Sequence, residues 1–492
     1  MKTTNLTLTS QNKIKEAVNS LGITTSKYNI ALKGFSHCLL WNTKSDRLLL
    51  LDKSKAMYHL YGNVSGKIRE DGVLNNQTIT ETTLMDIASH MHLGFLVNKQ
   101  CSEINSEIEE SNKERSDTTS MTIVITSTLG CNFSCSYCCQ GVEKKFNSFS
   151  IESIKRIIEI WEASATDKLN LVWYGGEPLL NTKKIISSST KIRDMVESKG
   201  CKYESEMLTN GYLLDFDKAL SLIRSGINTF HISIDGSKEY HDGSRMLRNG
   251  APTYTKIMDN IDKLNKHKGL NIRITVRINI IPDELLTSQI VNDLKSAGAS
   301  NWGKTKFYLA PIEKRVGSDA KSELEFNDFD VFARMYKDFI TLCKNNNIRY
   351  LLPGFSKGIC TATKELSVVM NPDGELHKCW DTVTDSTEAV GNINSPIDEI
   401  LGSLKKNHWT SFNPKSNEYC SKCRLLPACG GHCAIKHRDI TAHPYHHSGC
   451  PILKFILADY LLEKAREKGI ISQDLIIDFA DSKIELPELR FS

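Results

Sequence analysis

The chain has 492 residues, a formal net charge of +4, and 40% hydrophobic and 24% charged residues. This composition is ordinary for a globular protein, and the near-neutral charge argues against a dedicated nucleic-acid-binding protein. The length predicts two to four domains, because a single hydrophobic core rarely grows to this size.

The first twenty residues are polar and lack the apolar core of a signal peptide. Apolar runs such as RLLLLDK are far too short to span a bilayer. We therefore expect a cytoplasmic protein that binds neither membrane nor nucleic acid.

Residues 26–98 have the pattern of a small separate domain. Two apolar stretches, SHCLLWN and RLLLLDK, flank the polar turn Thr43–Asp46 and predict a β-hairpin. SKAMYHLYG and TLMDIASHMHL predict helices, and GFLV predicts a short last strand. This order predicts a winged-helix-like α+β module within residues 1–98. Residues 99–118 are polar and acid-rich, and they predict a linker.

From residue 119 the pattern changes to alternating strands and helices. Ser150 is a candidate N-cap for the first helix, which carries apolar residues on one face: Ile151, Ile154, Ile157, Ile158 and Trp161. The predicted strands are MTIVIT, LNLVWY, YESEML, NTFHISI, IRITVRINI and KFYLA. Six such units predict a parallel sheet curved into a partial (β/α)6 TIM-like barrel over residues 119–311, with ligands at the carboxyl ends of the strands.

The remaining chain divides into three predicted parts. Residues 312–355 predict a bridging helical segment, and residues 356–455 are rich in cysteine and turns. Pro451–Lys468 predicts a closing helix, so that residues 456–492 form a C-terminal helix and tail.

Fifteen cysteines in a chain without an export signal favour metal ligation or redox chemistry over a disulfide framework. Ten of them lie in two groups, and tight C-x2-C spacings within both groups argue against disulfides. The ten are Cys131, Cys135, Cys138, Cys360, Cys379, Cys420, Cys423, Cys429, Cys433 and Cys450.

The first group follows the first barrel strand with the spacing C-x3-C-x2-C. The thiolates of Cys131, Cys135 and Cys138 suit three irons of a 4Fe–4S cluster and leave the fourth iron open to a ligand. Zinc is the alternative, but it would need a fourth ligand, and the adjacent Cys139 is poorly placed to share the ion.

A second motif, GGEP, ends the second predicted strand. Gly175 and Gly176 would let a ligand approach the backbone closely, and Glu177 could accept hydrogen bonds from an ammonium group. A tight turn explains the motif equally well when it is considered alone. Its place one βα unit after the cysteine loop favours a binding site.

These motifs resemble those of the radical S-adenosylmethionine (radical SAM) superfamily, over roughly residues 119–310. The resemblance rests on the cysteine triad, with Tyr137 just before its last member, and on GGEP. It implies that the amino and carboxylate groups of SAM chelate the open iron. One electron then cleaves a C–S bond, and the 5′-deoxyadenosyl radical abstracts a hydrogen from the substrate.

SIDG and HDGSR resemble motifs of the peptide- and protein-modifying branch of this superfamily. The resemblance implies that Ser233 and Arg245 hold polar parts of SAM and that Tyr137 lies near its adenine. From the residues alone, Arg245 can equally be a solvated loop charge or part of an ion pair. Tyr174 stands where related enzymes often carry Gln.

The second cysteine group has the pattern C-x13-G-x4-C, then C-x2-C-x5-C-x3-C, then a last Cys, and it resembles the SPASM domain. Zinc ribbons are the alternative. The resemblance implies two auxiliary 4Fe–4S clusters, and therefore three clusters in all. Cys360, Cys379 and Cys433 would hold the first auxiliary cluster, and the second would be held by Cys420, Cys423, Cys429 and Cys450.

Two auxiliary clusters have eight iron atoms that need a ligand, and seven cysteines cannot supply them all. We therefore expect an open or non-cysteine site on the first auxiliary cluster. Cys343 is either a distant eighth ligand or a buried helix thiol. Asp381 is the candidate base, or else a turn residue. Sulfatase-maturing relatives place an Asp directly after the corresponding Cys, where this chain has Trp380.

The N-terminal module resembles PqqD-like elements that bind the leader of a ribosomally made peptide by adding it as a strand to a sheet edge. A DNA-binding winged helix is the alternative, and residues 26–98 are not notably basic.

We therefore predict a peptide maturase that forms a carbon–carbon, ether or thioether crosslink, as darobactin- and cyclophane-type enzymes do. Its partners would be a precursor peptide and a flavodoxin- or ferredoxin-like electron donor. A formylglycine-forming sulfatase maturase and an Fe–S electron carrier or sensor are the alternatives.

Overall fold

The computed structural model describes residues 22–53, 81–135, 137–138, 140, 145–281, 286–312, 329–352, 359–414, 418–431, 433–435, 454–479 and 484. The predicted helix SKAMYHLYG and Cys450 lie outside these residues.

The N-terminal part contains two small antiparallel sheets. Its elements are β1 (Ile23–Thr25), β2 (Asn29–Lys33), β3 (His37–Asn42), β4 (Arg47–Asp52), α1 (Glu81–His92) and β5 (Leu96–Asn98). β2, β3 and β4 form one sheet, and β1 pairs with β5. The predicted hairpin is confirmed, because β3 and β4 are antiparallel and joined by the turn Thr43–Asp46. The winged-helix topology stays a prediction.

Both faces of this three-stranded sheet are covered by apolar residues. Cys38 and Leu40 pack with Ile87 of α1 and with Phe95. On the opposite face, Leu39 and Trp41 belong to the main core of the protein. The alternation of side chains along β3 therefore buries the strand on both sides.

The polar segment predicted to be a linker forms a helix instead, α2 (Glu103–Arg115). The Ser102 hydroxyl caps it by accepting from the amide of Asn105. Glu107, Ser111 and Arg115 lie four residues apart on a buried face. The helix is also held by polar contacts, since Glu103 accepts from the Ser26 hydroxyl at 2.5 Å. Because this segment has few apolar residues, its sequence did not predict the packed helix.

All six predicted strands of the central region are confirmed. They are β6 (Ser120–Thr126), β7 (Lys168–Tyr174), β8 (Lys202–Thr209), β9 (Ile227–Asp235), β10 (Arg273–Ile280) and β11 (Thr305–Pro311). Each pairs in parallel with the next along the chain. The connecting helices are α3 (Ile151–Ser164), α4 (Thr182–Ser198), α5 (Phe216–Arg224), α6 (Lys238–Ser244), α7 (Tyr254–Lys266) and α8 (Leu286–Ser296).

Helix α3 begins where the sequence predicts it, with the Ser150 hydroxyl accepting from the amide of Ser153 at 2.9 Å. Its buried face differs slightly from the prediction. Ile160 is buried, whereas Ile151 is 45% exposed and Ile158 is half-buried.

The C-terminal region adds strands to the central sheet. β12 (Ser367–Met370) pairs in parallel with β6, and β13 (Glu375–His377) and β14 (Gly391–Asn392) continue the sheet in antiparallel fashion. The result is one nine-stranded sheet, six strands of which form the predicted open parallel array. The cysteine-rich region is thus joined to the array through the backbone of β6.

The remaining helices surround this sheet. They are α9 (Phe329–Asn345), α10 (Ile397–Lys405), α11 (Glu418–Lys422), α12 (Leu426–Cys429), α13 (Leu457–Glu467) and α14 (Gln473–Ile476). The closing helix predicted from Pro451 begins only at Leu457 and ends at Glu467. Within the described part of the chain, every helix is too short or too polar to cross a membrane.

Candidate active site

The first cysteine loop leaves the carboxyl end of β6. Cys131 is buried, Cys135 and Cys138 are half-buried, and none of the three forms a disulfide with a described residue. The amide of Cys138 donates to the carbonyl of Cys135, and the amide of Phe133 lies 3.4 Å from the Cys131 sulfur. The loop is therefore folded back on itself, with its thiols at the edge where the strands end.

The two glycines of GGEP pack against this loop. The amides of Gly176 and Glu177 donate to the carbonyls of Thr128 and Gly130, each at 2.9 Å. Gly175 has φ +145°, and a Cβ on it would lie 2.4 Å from the Thr128 oxygen. The glycines are thus required for contact between the two loops, where the sequence predicted an approach to a ligand.

Glu177 is fully buried at the end of β7. Its carboxylate accepts hydrogen bonds from the Thr209 hydroxyl at 2.7 Å, the Asn210 amide at 2.8 Å and the Leu179 amide at 2.9 Å. Burial raises the pKa of Glu177, and these hydrogen bonds oppose the rise. Most of its acceptor capacity therefore serves to join the ends of β7 and β8, and a ligand ammonium would take a remaining lone pair.

Asn210 connects this carboxylate to the cysteine loop. Its side-chain amide donates to Asn132 Oδ1 at 2.8 Å and lies 3.9 Å from the sulfur of Cys131. The sequence prediction missed Asn210. Its position directly after a predicted parallel strand was the available signal.

A second network surrounds Tyr137. Its hydroxyl lies 2.6 Å from both carboxylate oxygens of Asp235, and Arg245 Nη1 donates to it at 2.8 Å. Asp235 also accepts from Ser244 at 2.8 Å and from Asn279 at 3.0 Å. The sequence prediction missed Asp235, although it is the third residue of SIDG.

Arg245 is buried and forms an ion pair, one of the two alternatives that the sequence left open. Its Nη1 lies 3.7 Å from Asp235 Oδ1. Burial lowers the pKa of Arg245, but the nearby Tyr137, Cys135 and Asp235 outweigh this and raise it well above its ordinary value. Burial has the opposite effect on Tyr137, whose pKa it raises. Arg245 Nε is buried without a partner among the described residues.

His241 supports the Asp235 backbone. Its Nδ1 accepts from the Asp235 amide at 3.1 Å, so Nε2 carries the proton and donates to Thr253 Oγ1 at 2.9 Å. Burial, reinforced by the charge of Arg245, lowers the pKa of His241 to about 2. The imidazole is therefore neutral.

Ser233 is half-buried on β9, on the same side of the strand as Asp235. Its register partner on β10 is Arg277. The structure thus places the Ser233 side chain on the inner face of the sheet, two residues below the Tyr137–Asp235–Arg245 network.

The second cysteine group lies on the other side of β6. Cys360, Cys379 and Cys433 share one apolar cluster with Ala362 and Trp409. Burial raises the pKa of Cys360, and the neighbouring Cys433 and Asp381 contribute. Burial also raises the pKa of Cys379, and Asp381 adds to the effect. The structure therefore brings together the three cysteines predicted for one cluster, with Asp381 beside them.

Cys420 lies in α11, Cys429 ends α12, and Cys423 lies between the two helices. All three are half-buried. Cys423 donates its amide to the Cys420 carbonyl at 3.1 Å. Cys343 is fully buried in the main core on α9, and burial raises the pKa of its thiol to about 12. It is not part of the apolar cluster around Cys360.

An aromatic contact joins the residue before GGEP to the residue after Cys379. The rings of Tyr174 and Trp380 lie 5.7 Å apart at an interplanar angle of 30°. Tyr174 directly precedes GGEP, and Trp380 directly follows Cys379. The GGEP turn and the segment that carries Cys379 therefore lie next to each other.

The family model described as the radical SAM superfamily matches residues 125–289, which include the cysteine triad, GGEP, Asp235 and Arg245. Residues 125–289 therefore form a radical SAM domain. The recognition made from the motifs is confirmed at this level.

The chain is similar to curated sulfatase-maturating enzymes. It is 24% identical over 366 residues to the serine-type anaerobic sulfatase-maturating enzyme of Bacteroides thetaiotaomicron, covering 67% of this chain and 85% of that protein. It is 26% identical over 335 residues to the cysteine-type enzyme of Clostridium perfringens, covering 62% of this chain and 86% of that protein. The solved structure of native anSMEcpe with bound AdoMet and Kp18Cys peptide has a TM-score of 0.54 at 17% identity, covering 71% of this chain and 99% of that one.

The donor set suits the group that the family implies. Radical SAM enzymes use SAM and a 4Fe–4S cluster, and three cysteine thiols on one loop can each bind a different iron. Within the described residues, no three His, Cys, Asp or Glu side chains converge tightly enough for a single metal ion. A cluster with one iron per thiolate does not need such convergence.

Proposed function

We propose that this radical SAM enzyme forms an intramolecular crosslink in a ribosomally made precursor peptide. When bound, SAM and a reduced 4Fe–4S cluster supply an organic radical that abstracts hydrogen. Cys131, Cys135 and Cys138 would hold that cluster, and Tyr137, Gly175, Gly176, Glu177, Ser233 and Arg245 would surround the cofactor.

The contact between Tyr174 and Trp380 is the observation that carries this proposal. It brings the residue after Cys379 to the residue before GGEP, which supports a reaction that uses both the SAM-binding motifs and the cysteines beside Trp380. Crosslinking removes two hydrogens per ring, the first as a hydrogen atom and the second as a proton and an electron. Auxiliary clusters at Cys360, Cys379 and Cys433 and at Cys420, Cys423, Cys429 and Cys450 would accept the electron, for three clusters in total.

Asp381 is the proposed proton acceptor. Asp381 raises the pKa of the Cys360 and Cys379 thiols, and this supports a place for it beside the first auxiliary cluster. A carboxylate there can take the proton while the ring bond closes.

The N-terminal sheet supports a peptide substrate. Among the described residues, β4 pairs with β3 alone, so its outer edge has main-chain groups available for an added strand. Leu48 and Leu50 pack against the main core and Leu49 against the opposite face, so the leader would add through the main chain of β4. The similarity to enzymes named as sulfatase-maturating, and to one with a bound peptide, also supports this substrate class.

A formylglycine-forming maturase is the second candidate, favoured by the names of the curated relatives. Trp380 weighs against it, because it stands directly after Cys379 where those relatives were expected to carry an Asp. Mass spectrometry of the precursor peptide encoded beside the gene, co-expressed with the enzyme, separates the two. Loss of two hydrogens per ring supports crosslinking, and a mass shift that matches serine or cysteine conversion to formylglycine contradicts it.

A further inference from the structure

Arg277 on the inner face of β10 forms no ion pair with the part of the chain that the structure describes. Its Nε donates to Asn279 Oδ1 at 2.8 Å, and this is its one side-chain hydrogen bond to the described residues. None of the carboxylates in the described part of the chain lies within 4 Å of it. A half-buried guanidinium has lost part of its hydration, so an anion should stabilise it.

A hydrogen bond to Asn279 orients the guanidinium of Arg277. Asn279 receives its Nε and in turn donates to Asp235 at 3.0 Å. The two Nη groups make no hydrogen bond to the described residues, and this edge of a guanidinium matches the two oxygens of a carboxylate. The network below Tyr137 thus pre-orients a carboxylate-binding group.

The strand register places Arg277 beside a predicted SAM contact. Ser233 on β9 and Tyr308 on β11 are its direct neighbours on either side. The hydroxyl of Ser233 forms no hydrogen bond with the described residues. Arg245, the arginine that the resemblance assigns to SAM, already has its charge balanced by Asp235 at 3.7 Å.

We propose that Arg277, with Ser233 beside it, binds the carboxylate of SAM, and that Arg245 positions Tyr137. This rests on the SAM-binding part of the proposed function and not on the crosslinking. An acidic side chain of the peptide substrate is the other source of the same chemistry, and the experiment separates the two.

The test compares the dissociation constants of SAM and of decarboxylated SAM for anaerobically reconstituted full-length protein by equilibrium dialysis. Arg277→Gln should weaken SAM binding about 10-fold or more and leave decarboxylated SAM unchanged, because the lost hydrogen bonds are to a charged group. Arg277→Lys should be intermediate. Arg273→Gln is the matched control, since Arg273 lies on the same face of β10, is exposed and donates to Thr229.

The ratio of the two affinities within one variant does not depend on its active fraction, so partial misfolding cannot imitate the expected result. Unchanged preference for SAM in Arg277→Gln overturns the proposal. So does loss of that preference in Arg245→Gln but not in Arg277→Gln. Retained SAM affinity with weaker binding of an acidic precursor peptide would assign Arg277 to the substrate and also overturn it. No peptide is needed for the main comparison, so failure of the crosslinking proposal would leave its result unaffected.

Discussion

Gly176 and Gly130 approach each other so closely that a Cβ atom on Gly176 would lie 2.3 Å from the carbonyl oxygen of Gly130. Gly130 directly precedes Cys131, and Gly176 follows the end of β7. The GGEP turn and the cysteine loop are therefore one packed unit. A change in the backbone of either loop should therefore shift the positions of the cysteine thiols.

Gly176→Ala should displace the cysteine loop, because the atom in its way is backbone and cannot rotate aside. We expect the reconstituted protein to lose about four iron atoms per chain, the content of one 4Fe–4S cluster. Iron analysis with visible absorption measures this. Gly303→Ala is the control, because no atom lies within 4 Å of its Cβ position. Equal iron content in both variants would show that the contact is not required.

Tyr137→Phe removes the hydroxyl that lies between Asp235 and Arg245. The buried ion pair loses a hydrogen-bond partner on each side, so we expect a loss of about 1–3 kcal/mol in the free energy of unfolding. Urea unfolding followed by circular dichroism measures it. Tyr212→Phe is the matched control, since Tyr212 contacts Phe133 with its ring alone. Similar losses in the two variants would argue against the network.

His241 should make the protein sensitive to acid. Its pKa is about 2 in the folded state and about 6.5 when unfolded, so below pH 6.5 the unfolded chain binds more protons. Stability therefore falls with falling pH, and from pH 6.5 to 5 this one residue should cost about 2 kcal/mol.

His241→Gln should remove that part of the pH dependence. The measurement is the free energy of unfolding in urea at pH 7 and pH 5, with the exposed His92 on α1 changed to Gln as the control. If wild type and His241→Gln lose the same stability between the two pH values, the neutral buried imidazole is not the cause.

Local sequence patterns predicted the elements of the radical SAM domain but not their long-range contacts. The six strands and the Ser150 cap follow from apolar periodicity and capping chemistry, which act over a few residues. Pairing of β12 with β6 joins residues more than 240 positions apart, and no local pattern encodes it.

Asp235 and Asn210 were missed for a similar reason, since each acts through partners that only the fold brings near. The helix α2 was missed because polar contacts to Ser26 and Lys27, rather than apolar burial, hold it in place. Patterns of apolar residues cannot report such contacts.

Cys343 should not be a cluster ligand. Its thiol is buried in the core on α9, away from the apolar cluster that contains Cys360, Cys379 and Cys433. Cys343→Ala should therefore keep the iron and sulfide content of the wild type, at a stability cost of about 1 kcal/mol for the lost buried sulfur. Loss of one cluster in this variant would identify Cys343 as the eighth ligand and contradict an open site on the first auxiliary cluster.

The central claim is that the loop of Cys131, Cys135 and Cys138 supports reductive cleavage of SAM. The most direct measurement is 5′-deoxyadenosine released when anaerobically reconstituted protein is incubated with SAM and dithionite. Wild type should release it, and the variant with all three cysteines changed to alanine should release none. Absence of 5′-deoxyadenosine from the wild type, or equal release from both proteins, would contradict the account.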